Sequence, residues 1–350
     1  MFHRVACSIL ASVGLIGLSL QAIPASARSV GPDYQAVELQ APPQSPGNFV
    51  YQGGFASGIN DHREIVGVVV ENFSPGPLLA PGTLWQDDQF SKTFGSGMTA
   101  TFGFRPINNV GDVAMLSGFG PPVAASPIAE VVVVSGSGTG RTLAPLSTDT
   151  FAFPEAINEG GQVVGISSPT ECLPFPDPHP PCSANSHGVL WASNATSPMS
   201  LGNLTVATSI NNAGEVVGSD AQSGVLWDHG RITRRFEFVP VAINGLDQVL
   251  GPAGRLWEHG HTVRLPPLHS TQQVTTMAIN NLGQVVGTSG GHAVLWDHRR
   301  PIDLGTLPGG TSSSATAIVR ARSQGAGIRT GWCAGQGDPQ PLLPLARKQA

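Results

Sequence analysis

Ser289 lies in "GTSGG", residues 287–291, with the Gly-x-Ser-x-Gly spacing of a nucleophile elbow. Such an elbow exposes its serine on a tight turn between a strand and a helix. Here the flanks read as strands, and the matching stretches elsewhere are "GSDAQ" and "GPAGR", so a loop serine is expected and not a nucleophile. His229, His259 and His298 recur at one position, in "WDHG", "WEHG" and "WDHR". Converging imidazoles hold transition metals, but these three fall in separate solvent-facing turns, and no metal site is expected. Asp87-Asp88 in "WQDDQ" likewise reads as a solvated turn, not as an acid/base pair. "GSGTGR" (136–141) lacks the Lys-Ser/Thr of a phosphate loop. The recurring Asn-x-x-Gly turns lack the spaced carboxylates that calcium needs. No catalytic residue and no cofactor is therefore assigned.

The bulk of the sequence agrees with a scaffold. Only 12% of the 350 residues are charged, while 44 Gly and 30 Pro interrupt Val, Ile, Leu and Trp runs. That combination predicts an all-β chain of many short strands. A net charge of −5 gives no basic footprint for nucleic acid. The first 27 residues read as a secretory signal peptide: "MFHR", then the apolar "VACSILASVGLIGLSL", then an Ala-x-Ala site ending at Ala27. The apolar run is too short for a membrane span, so a secreted or periplasmic protein without one is expected. In an oxidising compartment Cys172 and Cys182, which flank "LPFPDPHPP", are expected to pair. A metal is the rival reading, with His179 nearby, but the spacing matches no tight metal knuckle. Cys333 is left over.

A repeat positions all of these residues. Six segments align: "SGINDHREIVG" (57–67), "RPINNVGDVAM" (105–115), "EAINEGGQVVG" (155–165), "TSINNAGEVVG" (208–218), "VAINGLDQVLG" (241–251) and "MAINNLGQVVG" (277–287). Ile-Asn is common to them, giving Asn60, Asn108, Asn158, Asn211, Asn244 and Asn280 as turn formers. Gly three residues on should supply the positive φ that closes a hairpin; Gly160 stands one place early and Asp247 takes the place once. Leu-Trp follows at Trp85, Trp191, Trp227, Trp257 and Trp296, whereas the second copy has "VVVVSG" instead.

Each unit thus reads as four short antiparallel strands. Such a unit cannot bury both faces alone, and copies of it arranged radially make a β-propeller. The tryptophans are expected to fill the space between adjacent blades. "YQAVELQAPP" (34–43) resembles "PIDLGTLPGG" (301–310) and reads as a fourth strand lacking its first three. "SSATAI" (313–318) reads as the start of a further unit. A ring closed by both chain ends follows, with seven blades favoured over six. After Ile318 the expected Asn is Val319, and residues 319–350 read as an atypical tail or a degenerate last blade.

"GHAVLWDHRRPIDLGTLPGGTSSSATAI" (291–318) resembles the repeat unit of the HAF-repeat family of bacterial extracellular proteins. The likeness covers roughly residues 34–318 and departs from the family at "VVVVSG" and after Ile318. It implies secretion and a propeller-like array, and no activity.

The connections between second and third strands vary in length. They are short at 252–255 and long at 68–83 and 166–189. Variable loops on a rigid scaffold commonly carry recognition. The expected function is a non-catalytic repeat protein presenting these loops to an extracellular ligand or surface. The alternative is a propeller hydrolase or lyase acting on a polymer.

Overall fold

A computed structural model describes residues 28–348 except 32–33, 41, 44–48, 74–77, 80, 95–98, 102–104, 120–129, 136–139, 170–184, 307–310, 320–326 and 334–343. The signal-peptide reading, Cys172, Cys182 and His179 lie outside these residues. Strands, turns and connections make up the described chain, with no helix among the described residues.

The fold is an all-β propeller. Six four-stranded antiparallel paths are each built from one contiguous stretch: 49–94, 99–143, 151–200, 206–236, 242–264 and 274–303. They are called here the first to sixth blades, and their strands pair in chain order. In the first blade Leu78–Leu79 adds a short fifth strand on Glu64–Phe73. A further sheet joins both ends of the chain. Ser312–Ile318, Gly327–Cys333 and Pro344–Lys348 pair in turn, and Tyr34–Glu38 then pairs with Pro344–Lys348. Arg28–Gly31 covers the outside of this closing sheet. Its first strand, Ser312–Ile318, packs on Phe49–Ile59 of the first blade, so the array returns to its start.

The repeated letters have local causes. Each turn asparagine accepts, through Oδ1, the main-chain N–H four residues on: Glu64 at 2.9 Å, Asp112 at 2.8 Å, Gln162, Glu215, Gln248 and Gln284 at 3.0 Å. The residue three places after the asparagine always has positive φ. It is Arg63, Gly111, Gly161, Gly214, Asp247 or Gly283. Gly161 therefore takes the place in the third blade, and Gly160 does not. The glycine after the Val pair is required by contact. A Cβ on Gly165, Gly218 or Gly287 would sit 2.0, 2.0 or 1.9 Å from a first-strand carbonyl oxygen.

Apolar clusters fill the seams between blades. Trp191 joins Ala114, Leu116 and Val133 of the second blade to Phe153 and Val163 of the third. Trp296 does the same between the fifth and sixth blades, and Trp85 between the closing sheet and the first. Between the first and second blades, where "VVVVSG" brings no tryptophan, Leu84 and Phe94 meet Ile107 and Met115.

Two connections differ from expectation. The stretch 68–83 is not all loop, because Glu64–Phe73 continues as a strand paired with Phe49–Ile59. The stretch 166–189 is shorter as a loop, since Val163–Ser168 and His187–Trp191 take both its ends. In the tail, "GIRTGW" falls in the strand Gly327–Cys333 of the closing sheet.

Candidate functional site

The two rims of the propeller differ in kind. The first carries the turns between first and second strands and between third and fourth strands. Here the asparagines do a second job. Each Nδ2 donates to the main-chain carbonyl of the corresponding residue in the next blade. Asn60 reaches Asn108 at 2.9 Å, Asn108 reaches Asn158 at 3.1 Å and Asn158 reaches Asn211 at 3.1 Å. Asn211 reaches Asn244 at 3.3 Å, Asn244 reaches Asn280 at 2.9 Å and Asn280 reaches Val319 at 3.1 Å. A parallel row runs one residue later. The amides of Asp61, Asn109, Glu159 and Gly245 donate to the side chains of Asn109, Glu159, Asn212 and Asn281. Buried polar groups that are fully paired rigidify a structure, and this turn rim is stitched blade to blade.

Arg105 and Glu155 occupy one repeat position, three residues before Asn108 and Asn158; Glu155 lies on the first strand of the third blade, and Arg105, beyond the strand Thr99–Thr101, bridges to Ala156 beside it. In the third blade that position is the extra residue of a β-bulge, between Pro154 and Ala156. Arg105 donates from Nη1 to the carbonyl of Ile243 in the fifth blade at 3.3 Å, so its side chain spans from the second blade to the fifth. Burial lowers its guanidinium pKa, and Glu159 and Asp61 oppose that shift. Glu155 is 2% exposed, and its Oε1 has no hydrogen-bond partner among the described residues. Burial pushes its carboxyl well above the ordinary range, and no neighbouring charge contributes to the shift.

The opposite rim carries the connections between second and third strands and from blade to blade. On the third blade Asp149 is buried, with its side chain 1% exposed. Its Oδ2 accepts Ser167 Oγ at 2.6 Å and lies 3.0 Å from His187 Nδ1. Ser167 in turn accepts the amide of Leu146 at 2.9 Å. The serine hydroxyl donates to the carboxylate and not to the imidazole, and the group fixes the two feet of the connection 169–186. Sequence reasoning missed Asp149, Ser167 and His187. The only signal was that His187 precedes Leu-Trp as His292 does.

Between the fourth and fifth blades the same rim has a cavity of about 470 Å³, lined among others by Ser223, Arg235, Phe236, Phe238 and Val239. Phe236 and Phe238 stack with centroids 5.3 Å apart. Phe238 fits because the fifth blade has Gly251, where a Cβ would lie 2.2 Å from the ring. Arg235 pairs with Asp220 at 2.6 Å. Burial pushes the Asp220 carboxyl up, but bonds from Arg235, Gln222 and Ser223 outweigh it and hold the pKa below the ordinary value.

The remaining sequence candidates are dispersed. His229, His259 and His298 each begin the positive-φ pair of a separate two-residue hairpin, and Asp87-Asp88 forms another. His229 and His298 lie against Asp228 and Asp297, their own neighbours in sequence. Ser289 is buried. Its Oγ accepts the amide of Leu268 and donates to Gln272, each at 3.1 Å, so it pins a connection as Ser167 does. Trp85, Trp191 and Trp296 are fully buried, Trp227 nearly so, and Trp257 partly.

No protein-family model and no curated protein sequence matches the chain. Solved structures resemble it at low identity. An acylaminoacyl peptidase of Pyrococcus horikoshii is 12% identical over 79% of this chain and 49% of its own, with a TM-score of 0.49. This chain thus spans about half of that peptidase's length. YCF48 of Cyanidioschyzon merolae is 10% identical over 86% of this chain and 98% of its own, at 0.47. A gluconolactonase of Xanthomonas campestris is 11% identical over 91% and 90%, at 0.40. All three scores lie below 0.5, so the propeller assignment rests on the strand pairing of this chain itself.

Proposed function

We propose that this chain is a secreted or periplasmic, non-catalytic repeat protein of the HAF-repeat kind, which binds an extracellular ligand or surface component through its loop rim. The observation that carries the reading is the contrast between the rims. The turn rim repeats one bonding pattern from blade to blade. On the loop rim, the connection between second and third strands runs from residue 169 to residue 186 in the third blade, but only through residues 290 and 291 in the sixth. Scaffold constraint holds the asparagine turns constant and leaves the connections of the other rim free to vary. Within this reading Cys172 and Cys182 close the long connection as a disulfide, which would limit its conformations and favour recognition.

The test replaces 169–186 with a Gly-Gly turn, as in the sixth blade. Wild type and variant are compared on an immobilised panel of extracellular polysaccharides and envelope proteins. The reading expects an unchanged thermal transition and loss of every interaction that wild type shows. Full retention of those interactions by a folded variant contradicts it.

A further inference from the structure

The repeat contains its own control for a second surface. In three seams the tryptophan indole donates to a main-chain carbonyl of the preceding sheet. Trp85 reaches Gln40 at 2.8 Å, Trp191 reaches Ala144 at 2.9 Å and Trp296 reaches Pro266 at 2.7 Å. In two of these a main-chain amide also crosses. Gln40 N donates to Asp88 O at 3.0 Å and Ala144 N to Thr196 O at 2.8 Å. An outer segment of one sheet is thus zipped to the next blade by a single residue's C=O and N–H.

Between the third and fourth blades this zipper is open. The corresponding residue, directly after buried Leu201, is Gly202. It has φ +71°, and its amide turns back to Ser200 Oγ at 3.2 Å. Among the described residues the Trp227 indole N–H has no acceptor, although the residue is only 7% exposed, and no main-chain amide reaches the carbonyl of Gly230. A groove of about 410 Å³ occupies the seam, lined by Met199, Leu201, Trp227, Gly230, Arg231 and Ile232, among others. Met199 is 50% exposed, and Arg231 is exposed and makes no ion pair among the described residues. The indole nitrogen is not sealed from solvent and opens onto this groove, and three sister seams show the peptide carbonyl that fits it.

We propose that this groove binds an extended peptide segment of a partner protein. A main-chain carbonyl of the peptide accepts the Trp227 indole N–H, and its amide donates to the Gly230 carbonyl. An apolar side chain lies on Met199, Leu201 and Ile232, and an acidic one meets Arg231. The partner is a protein rather than a saccharide because the missing element in this seam is a peptide unit. This surface is distinct from the loop rim.

The test uses the full ¹⁵N-labelled chain and follows the indole N–H resonances, with Trp227 assigned by Trp227→Phe. The probe is an acetylated and amidated hexapeptide alternating Glu and Leu. Saturable displacement of the Trp227 resonance alone is expected, with affinity weakened about tenfold or more in Arg231→Glu. The variant lacking 169–186 should bind the peptide as wild type does, which separates this proposal from the loop-rim reading. No displacement at millimolar peptide overturns the proposal. So does equal affinity in Arg231→Glu, or the same displacement by sodium acetate or an oligouronate.

Discussion

Each turn asparagine uses its carboxamide in both directions. Asn244 accepts from Leu246 and Gln248 and donates to Gln248 Oε1 and to the Asn280 carbonyl. The accepting half can be read from the string, because Asx turns are local. The donating half cannot, because the acceptor lies a whole repeat away. At the end of the ladder the acceptor is the carbonyl of Val319, a main-chain atom, so Asn280 keeps its partner although no seventh asparagine follows. Glu155 is the residue that departs most from this economy. Its folded pKa is raised by burial, so between the unfolded value and the raised one the native state binds more protons than the unfolded chain. Stability contributed by this site is therefore greatest at low pH and is lost as pH rises through that window. Glu155→Gln should raise stability at pH 8 by roughly 1–3 kcal/mol and have little effect at pH 4. Urea melts at the two pH values check it, and an equal effect at both would contradict the assignment.

At the scale of strands and turns, glycine shows how one letter serves two purposes. Gly287→Ala sets a methyl 1.9 Å from the Thr275 carbonyl oxygen, so the first two strands of the sixth blade must separate. A loss of about 3 kcal/mol or more in a chemical melt is expected. Gly230→Ala meets nothing within 4 Å and only forces φ +98° on an alanine, for about 1 kcal/mol. A reversed order would contradict the contact account. The turn and returning-strand positions were legible because they recur. What did not recur was not. Val68–Phe73 extends a strand against Phe49–Phe55, and nothing in the repeat signals it. The pin formed by Asp149, Ser167 and His187 joins residues 18 and 38 places apart in the chain. Trp227 has the same motif as its sisters, and its different surroundings come from Gly202 in the preceding connection.

Over the whole molecule, the ring is held where the chain begins and ends. Tyr34–Glu38 supplies a strand to the closing sheet, and Leu39 and Gln40 continue into the Trp85 seam. Removing residues 28–43 should lower the unfolding midpoint, and adding them as a synthetic peptide should restore it. A truncated chain as stable as the full one would contradict a ring closed by both ends. The bonded row also explains why the asparagine turns keep one length: an insertion at one of them would break a bond in its own blade and one in the blade before.

That blade-to-blade ladder is the feature on which the closed ring and the division between rims both depend. It is measured most directly by scalar coupling across hydrogen bonds in a ²H,¹³C,¹⁵N-labelled sample. The account predicts couplings from the carboxamide nitrogens of Asn60, Asn108, Asn158, Asn211, Asn244 and Asn280 to the carbonyl carbons of Asn108, Asn158, Asn211, Asn244, Asn280 and Val319. Carboxamide protons that exchange freely with water and show no such couplings would contradict it.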